Sequence, residues 1–400
     1  MTASECKEVK KLSLLFEPGK IGNMELKNRF VRSATVELLC TDQGRVTDEY
    51  LRAYERLAKG GVALIVPGNY LVNPLGHAYP KSPTVDNDGV IDDLRRVVSV
   101  VQEHGAKIVG QLNHAGRQAD PKLIGAKPVA PSPVRDKMSF VKPRQMTEDE
   151  IEKTINEFGE GARRVKEAGF DGVQIHAAHG YLINQFLSAY TNRRKDQWGG
   201  SIENRMRFLV EVFQAMRSRV GPDYPILIKI NAEDFAKTGV HPEECVVHCR
   251  KLDELGIAAI EVSGGISEKG LHTLKGDVPM DLFLEGRGLV ERLMVRMMEG
   301  ALKKSATFEE AFFLSYAATI KKNVKAPVLA VGGMRTRKKM EEVLESGQAD
   351  FISMCRPFIR QPNLVKLLER DEGDPISCTS CNRCSVEILF HKKPMRCYET

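Results

Sequence analysis

Eight times along this chain a short run of strand type is followed by a stretch with helical spacing. That alternation narrows the possible folds more than any other feature. The strand-like runs span 30–34, 62–66, 107–112, 173–175, 226–231, 258–262, 328–331 and 351–354. Between them apolar residues recur three and four apart, as in Leu51, Tyr54 and Leu57, or Leu94, Val97, Val98 and Val101, which is the spacing of one helix face. Residues 147–150, Thr-Glu-Asp-Glu, have the form of a capping box and open a helix that runs to Ala168. Further helices are predicted from Ser201 and over 242–255, 307–324, 336–346 and 363–370. Eight such units in this order predict an α/β protein with a (β/α)8 TIM barrel. A doubly wound open sheet is the alternative, but no strand is followed by the G-x-G-x-x-G turn of such nucleotide-binding sheets. Residues 263–306 break the rhythm after strand six and read as a loop excursion with short helices of its own.

A barrel with insertions reaches 400 residues as one domain. The reading divides the chain into a barrel over 1–370 and a cysteine-rich tail over 371–400. The net charge of +6 is spread along the chain without a basic run, so nucleic acid is not expected as a partner. A small molecule or an anionic cofactor accounts for the mild excess of cations. No stretch approaches the length of an apolar membrane span, and the polar first residues lack a signal-peptide core. Five of the nine cysteines are scattered, at Cys6, Cys40, Cys245, Cys249 and Cys355. The other four, Cys378, Cys381, Cys384 and Cys397, crowd the tail. This distribution points to a reducing cytoplasm and a local metal site rather than a disulfide framework.

In a barrel the active site lies where the strands end. Strand four runs into His176, His179 and Tyr181. Two imidazoles and a phenol supply hydrogen-bond donors and a proton of high pKa, which suits polarising a carbonyl or nitro oxygen and protonating a nearby carbon. A zinc pair is the weaker reading of the histidines, because no third ligand is close in sequence. Strand one ends at Ser33, Ala34 and Thr35, strand two near Asn69, strand three at Gln111, and strand five carries Lys229. Lys229 suits either stabilising negative charge on a bound ring or Schiff-base chemistry of the aldolase kind. After strands seven and eight come Gly332, Gly333 and Met334, then Cys355 and Arg356. Bare backbone N–H groups, a helix N-terminus from Thr336 and a fixed cation make a phosphate site of the kind barrels build there. A phosphate site opposite a polar edge-reader suggests a flavin mononucleotide.

Together these pieces resemble the Old Yellow Enzyme family of FMN-dependent oxidoreductases. The resemblance rests on residues 15–22 with 26–29, 111–117 (Gln-Leu-Asn-His-Ala-Gly-Arg), 176–182 (His-Ala-Ala-His-Gly-Tyr-Leu), 192–205, 331–334 (Val-Gly-Gly-Met) and 356–357 (Arg-Pro), in the family's order. It implies that Gln111 and Lys229 meet the polar edge of the flavin and that Gly332, Gly333 and Arg356 hold its phosphate. It also implies that His176 and His179 grip the substrate oxygen, that Tyr181 gives the proton, and that NADH or NADPH supplies hydride for an activated alkene. Val36 and Cys355 depart from the residues many members carry at those places. The tail resembles the iron–sulfur segment of the 2,4-dienoyl-CoA reductase and enoate reductase branch, with two residues rather than three before the third cysteine. The FAD- and nucleotide-binding domains of that branch have no counterpart in this sequence. Four thiolates suit a [4Fe–4S] cluster or zinc, and free thiols remain the plain alternative. A cluster would pass single electrons between FMN and an external carrier.

Overall fold

The computed structural model describes residues 13–370 and 375–399. The polar N-terminus with Cys6, the 370/371 boundary and Thr400 fall at or outside those limits. Eight parallel strands close into a barrel: Phe30–Arg32, Leu64–Ile65, Lys107–Asn113, Gly172–Ala177, Ile226–Asn231, Ala259–Ser263, Val328–Val331 and Phe351–Met354. Each pairs with its sequence neighbour, and the last returns to the first through Ile352 opposite Phe30. Closure removes every sheet edge that would otherwise expose unpaired N–H and C=O groups.

The barrel floor is plugged by a hairpin, Gly19–Ile21 with Met24–Leu26. Its Ile21, Met24 and Leu26 pack with the inward side chains Val31, Leu64, Val109, Leu227, Ala259 and Leu329. Each of these side chains is buried, and each of the larger ones, Ala259 apart, contributes a stabilisation of about 1.5–3 kcal/mol before entropy. Outside, the apolar faces of the helices cover the strands. The 20-residue helix Glu148–Glu167 begins with the expected capping box of Thr147 and Glu150 and packs against Ile202–Val220.

Four elements differ from the sequence expectation. The first two strands are shorter, at three and two residues. The helix expected over 307–324 forms only at Leu314–Lys321. Ahead of it Ala311 takes φ +55° and its N–H donates to Gly333 O at 3.1 Å, so backbone ties to the seventh strand's loop replace the first helical turns. The excursion after strand six holds a 17-residue helix, Leu289–Ser305, longer than the short helices expected.

The tail lies across the barrel's active end. Its helix Arg383–Leu389 buries Val386 against Leu282 and Phe283 of the excursion. Asn382 Nδ2 donates to Asp277 O at 2.9 Å, Arg383 pairs with Asp281 at 2.8 Å, and Met395 N–H donates to Glu37 O at 2.7 Å. Among the described residues no helix is long and apolar enough to cross a membrane.

Candidate active site

The strand ends and the tail enclose a cavity of about 700 Å³, within the range of cofactor sites. Ser33, Ala34, Thr35, Asn69, Gln111, His176, His179, Tyr181, Lys229, Gly332, Cys355 and Arg356 all line it. Of the candidate site residues on the barrel, Gly333 and Met334 do not. Gly333 turns behind the wall at φ +73°, and Met334 is buried in the core.

Beneath the cavity runs a chain of buried polar groups. Lys229 Nζ donates to Ser33 Oγ at 2.7 Å and lies 3.4 Å from Glu261 Oε2. Glu261 also accepts from Ser353 Oγ at 2.7 Å and Gln174 Nε2 at 3.1 Å, and Gln111 Nε2 donates to Gln174 Oε1 at 2.8 Å. Strand register brings these groups together, since Lys229 stands opposite both His176 and Glu261 in its ladders. Burial raises the Glu261 carboxyl, but Lys229 and the hydrogen bonds outweigh it and leave the group below its usual range. Glu261, Gln174 and Ser353 were missed in the sequence. A carboxylate inside the apolar run of strand six was the available signal, because a charge in a strand buried on both faces needs a partner.

Both histidines are neutral. Burial lowers His176 well below the ordinary imidazole value, with His179 and Lys229 adding to it. Burial, then Lys229, lowers His179 to about 3. Their rings meet edge-on, 5.2 Å apart. His176 Nδ1 accepts from Ala178 N–H at 3.4 Å, an arrangement that puts its proton on Nε2. His179 Nε2 lies 2.8 Å from Ser263 Oγ. His179 itself sits at φ +62° and Gly180 at φ +79°. This two-residue left-handed turn brings Tyr181 back to within 5.0 Å of the His176 ring. The cost of a left-handed histidine is tolerated where the surroundings over-determine it, here through His179 N–H on Asn231 Oδ1 at 3.1 Å. Burial, then Tyr79, raises the Tyr181 phenol well above its ordinary value, so it holds its proton.

The expected phosphate corner is only partly as anticipated. A Cβ on Gly332 would meet the Phe312 ring at 2.8 Å, so packing as well as φ +108° requires glycine there. The N-terminus of helix Arg337–Glu345 does not face the cavity free. Glu310 accepts from Arg335 N–H at 3.0 Å and Thr336 N–H at 2.6 Å. An internal carboxylate thus takes the place expected for a ligand anion. Arg356 remains on the cavity wall, donating to Lys275 O at 2.9 Å and to Asn382 Oδ1.

The four tail cysteines line one small void with Arg356, Arg360 and Asn382. Ser380 and Asn382, both in the left-handed region, fold the loop around it. Burial raises the thiols of Cys378 and Cys384, the latter to about 12. Among the described residues no three of these sulfurs lie within 4.8 Å of one another. Tetrahedral zinc, with Zn–S of about 2.3 Å, would bring them to about 3.8 Å.

A barrel whose strand ends carry such a cavity, with a lysine at its floor and neutral histidines beside it, has the features of a cofactor site. The model of the NADH:flavin oxidoreductase / NADH oxidase family matches residues 14–266 and 294–374. The chain therefore belongs to that family of FMN-dependent oxidoreductases, as the resemblance to Old Yellow Enzyme implied. It is 36% identical over 387 residues to a metal reductase of Desulforamulus reducens, covering 96% of this chain and 53% of that protein. It is 33% identical over 368 residues to an NADPH dehydrogenase of a Geobacillus species, covering 92% and 97%. Among solved structures, a 2-naphthoyl-CoA reductase complex superposes with a TM-score of 0.84 at 28% identity, over 96% of this chain and 56% of that one. The chain spans about half the length of the metal reductase and of a similar NADH oxidase.

Proposed function

We propose that the chain is an ene-reductase: it binds FMN, takes reducing equivalents from NADH or NADPH, and reduces the C=C bond of an α,β-unsaturated carbonyl compound. The observation that carries this reading is the neutral His176–His179 pair beside a protonated Tyr181, on the same strand-end wall as Lys229. FMN, when bound, relays hydride from the nicotinamide to the β-carbon of the substrate. Gln111 and Lys229 suit its polar edge, Ser33, Ala34, Thr35 and Asn69 its flanks, and Gly332 and Arg356 its phosphate. The donor set fits, because a cation and amide groups face one end of the cavity and a guanidinium the other.

The chain's own groups do the rest. The two imidazoles hold the substrate oxygen and stabilise the negative charge that grows there as the β-carbon is reduced. Neutral imidazoles act as donors without giving up a proton at that oxygen. Tyr181 delivers its phenolic proton to the α-carbon and is reprotonated from solvent. The lyase reading through Lys229 has less support. A nucleophilic amine must be neutral, and this one faces a buried carboxylate at 3.4 Å.

In the tail, four cysteines about one void, together with the resemblance to the family's iron–sulfur segment, favour an iron–sulfur cluster over zinc. Such a cluster would hand single electrons to an external carrier. The scatter of five cysteines along the barrel, with four crowded into the tail, favours a reducing compartment such as the cytoplasm. Purified protein is expected to be yellow, to release FMN on denaturation, and to bleach with NAD(P)H. A colourless protein that takes up no added FMN would refute the reading.

A further inference from the structure

The tail contributes more to the cavity than a lid. Ser385, Ile388, Leu389, Phe390 and Lys392 line it alongside Tyr79 and Tyr181. Of these only Lys392 carries a charge, and the way it is presented is unusual. Its backbone lies at φ +56°, a conformation that disfavours a long side chain. Its two neighbours are both tied to one carboxylate: His391 Nδ1 and Lys393 Nζ each lie 2.8 Å from Glu387 Oε2. Lys393 N–H also donates to Glu387 O at 3.0 Å. This clamp turns the flanking side chains one way and leaves Lys392 on the cavity side. Its Nζ stands 4.1 Å from the centroid of the Tyr79 ring and donates to Leu389 O at 2.9 Å. Among the described residues no carboxylate lies within 4.0 Å of it.

The charges around it point the same way. Two carboxylates line this part of the cavity, and both are engaged. Asp120 accepts from Lys122 N–H at 2.9 Å, capping a helical turn. Asp136 accepts from Met138 and Ser139 N–H at 2.9 and 2.8 Å and lies 3.9 Å from Arg117. Lys122, on the same wall, has no carboxylate within 4.0 Å among the described residues. Surrounding protein lowers the Lys392 ammonium, and Asp120 opposes that shift without neutralising it. Lys392 is exposed at the mouth of the cavity, and a cation there, resting on an aromatic face and without a carboxylate partner, can pair with an anionic group that enters.

We propose that Lys392 binds an anionic group of the substrate, so that the preferred substrates are activated alkenes bearing a carboxylate at the end remote from the oxygen held by His176 and His179. This rests on the ene-reductase reading and narrows it. Tyr79 and Tyr181 lie between the histidines and Lys392, so an anion there leaves the reacting carbons beside Tyr181.

The test compares a cyclic enone carrying a carboxylate with its neutral methyl ester, as the ratio of kcat/KM values, which cancels effects common to both. Lys392→Met is expected to lower the carboxylate-to-ester ratio about tenfold or more, the loss of one charge-assisted contact. Lys392→Arg is expected to keep most of it. Turnover of the ester with a ratio unchanged by Lys392→Met overturns the inference and leaves the ene-reductase reading standing. Anaerobic bleaching by NADH and by NADPH is followed in the same variants. A defect confined to that step assigns the cation to the nucleotide phosphates and also overturns the inference. If wild type reduces neither compound, the ene-reductase reading falls, and this inference with it.

Discussion

The two walls of the cavity are built by different means. The strand-end wall is set by ladder register: Lys229 faces His176 on one side and Glu261 on the other because parallel strands place them there. The opposite wall comes from the excursion, with Leu271 and Leu274, and from the tail, with Ile388, Phe390 and Lys392. It is held by side-chain contacts, such as the Phe283 and Phe390 rings 5.1 Å apart. The family model matches the first wall throughout and skips residues 267–293 of the second. The comparison teaches a division of labour. On the proposed reading, groups that meet the reacting atoms sit on strand ends fixed by ladder register, and groups that select among substrates sit on the excursion and the tail.

The sharpest attempt to break this division is Tyr181→Phe, which keeps the ring and removes the proton. Alkene reduction is expected to slow by about a hundredfold or more, with bleaching by NAD(P)H little changed in rapid mixing. Equal losses in both steps would mean that the strand-end wall serves binding alone. Replacing His176 and His179 together by Ala is expected to weaken phenol-type ligands, whose oxyanion mimics the developing charge, by about ten- to a hundredfold in a spectral titration. Phenols that bind the double variant as tightly as wild type would remove the oxyanion role.

On the other wall, Cys384→Ser is expected to cut the iron or zinc content of the tail. It should raise KM for the alkene several-fold by loosening Val386 and Phe390, while bleaching by NAD(P)H stays near wild type. A variant with unchanged KM for the alkene, or one that loses only bleaching, would show that the tail does not govern substrate binding.

The smallest effect is a pH dependence. His114, at about 4, and His179 and His248, at about 3, are all lowered first by burial. Their folded values lie below the unfolded value of about 6.5, so the unfolded chain takes up protons first. Their contribution is fully present above pH 6.5 and is lost as pH falls toward the folded values. Melting temperature should therefore drop progressively from pH 6.5 to 4. Alkene reduction should show no imidazole-type step between pH 6 and 8. A step near pH 6.5 would mean that the pair titrates and that its neutral-donor role is wrong.

The barrel was legible because short apolar strand-type runs and helical runs alternate through nearly the whole chain, and closure follows from their number. His176, His179 and Tyr181 were legible because they end a strand within six residues. Glu261 was overlooked because its meaning depends on Lys229, thirty-two positions away, and only register brings the two together. The Glu310 carboxylate at the helix from Thr336 was hidden for a similar reason, since its segment reads as helix until Phe312 and Phe313 pack on the glycine turn. The tail's place on the cavity was illegible because no periodicity says which surface a short terminal helix covers.

The central claim is that this cavity passes hydride to an activated alkene. Its most direct test is to reduce the yellow protein with dithionite under anaerobic conditions and mix it rapidly with a cyclic enone. Return of the oxidised flavin spectrum is expected, with one saturated ketone formed per flavin. A reduced protein that is reoxidised by oxygen but not by any activated alkene would contradict it.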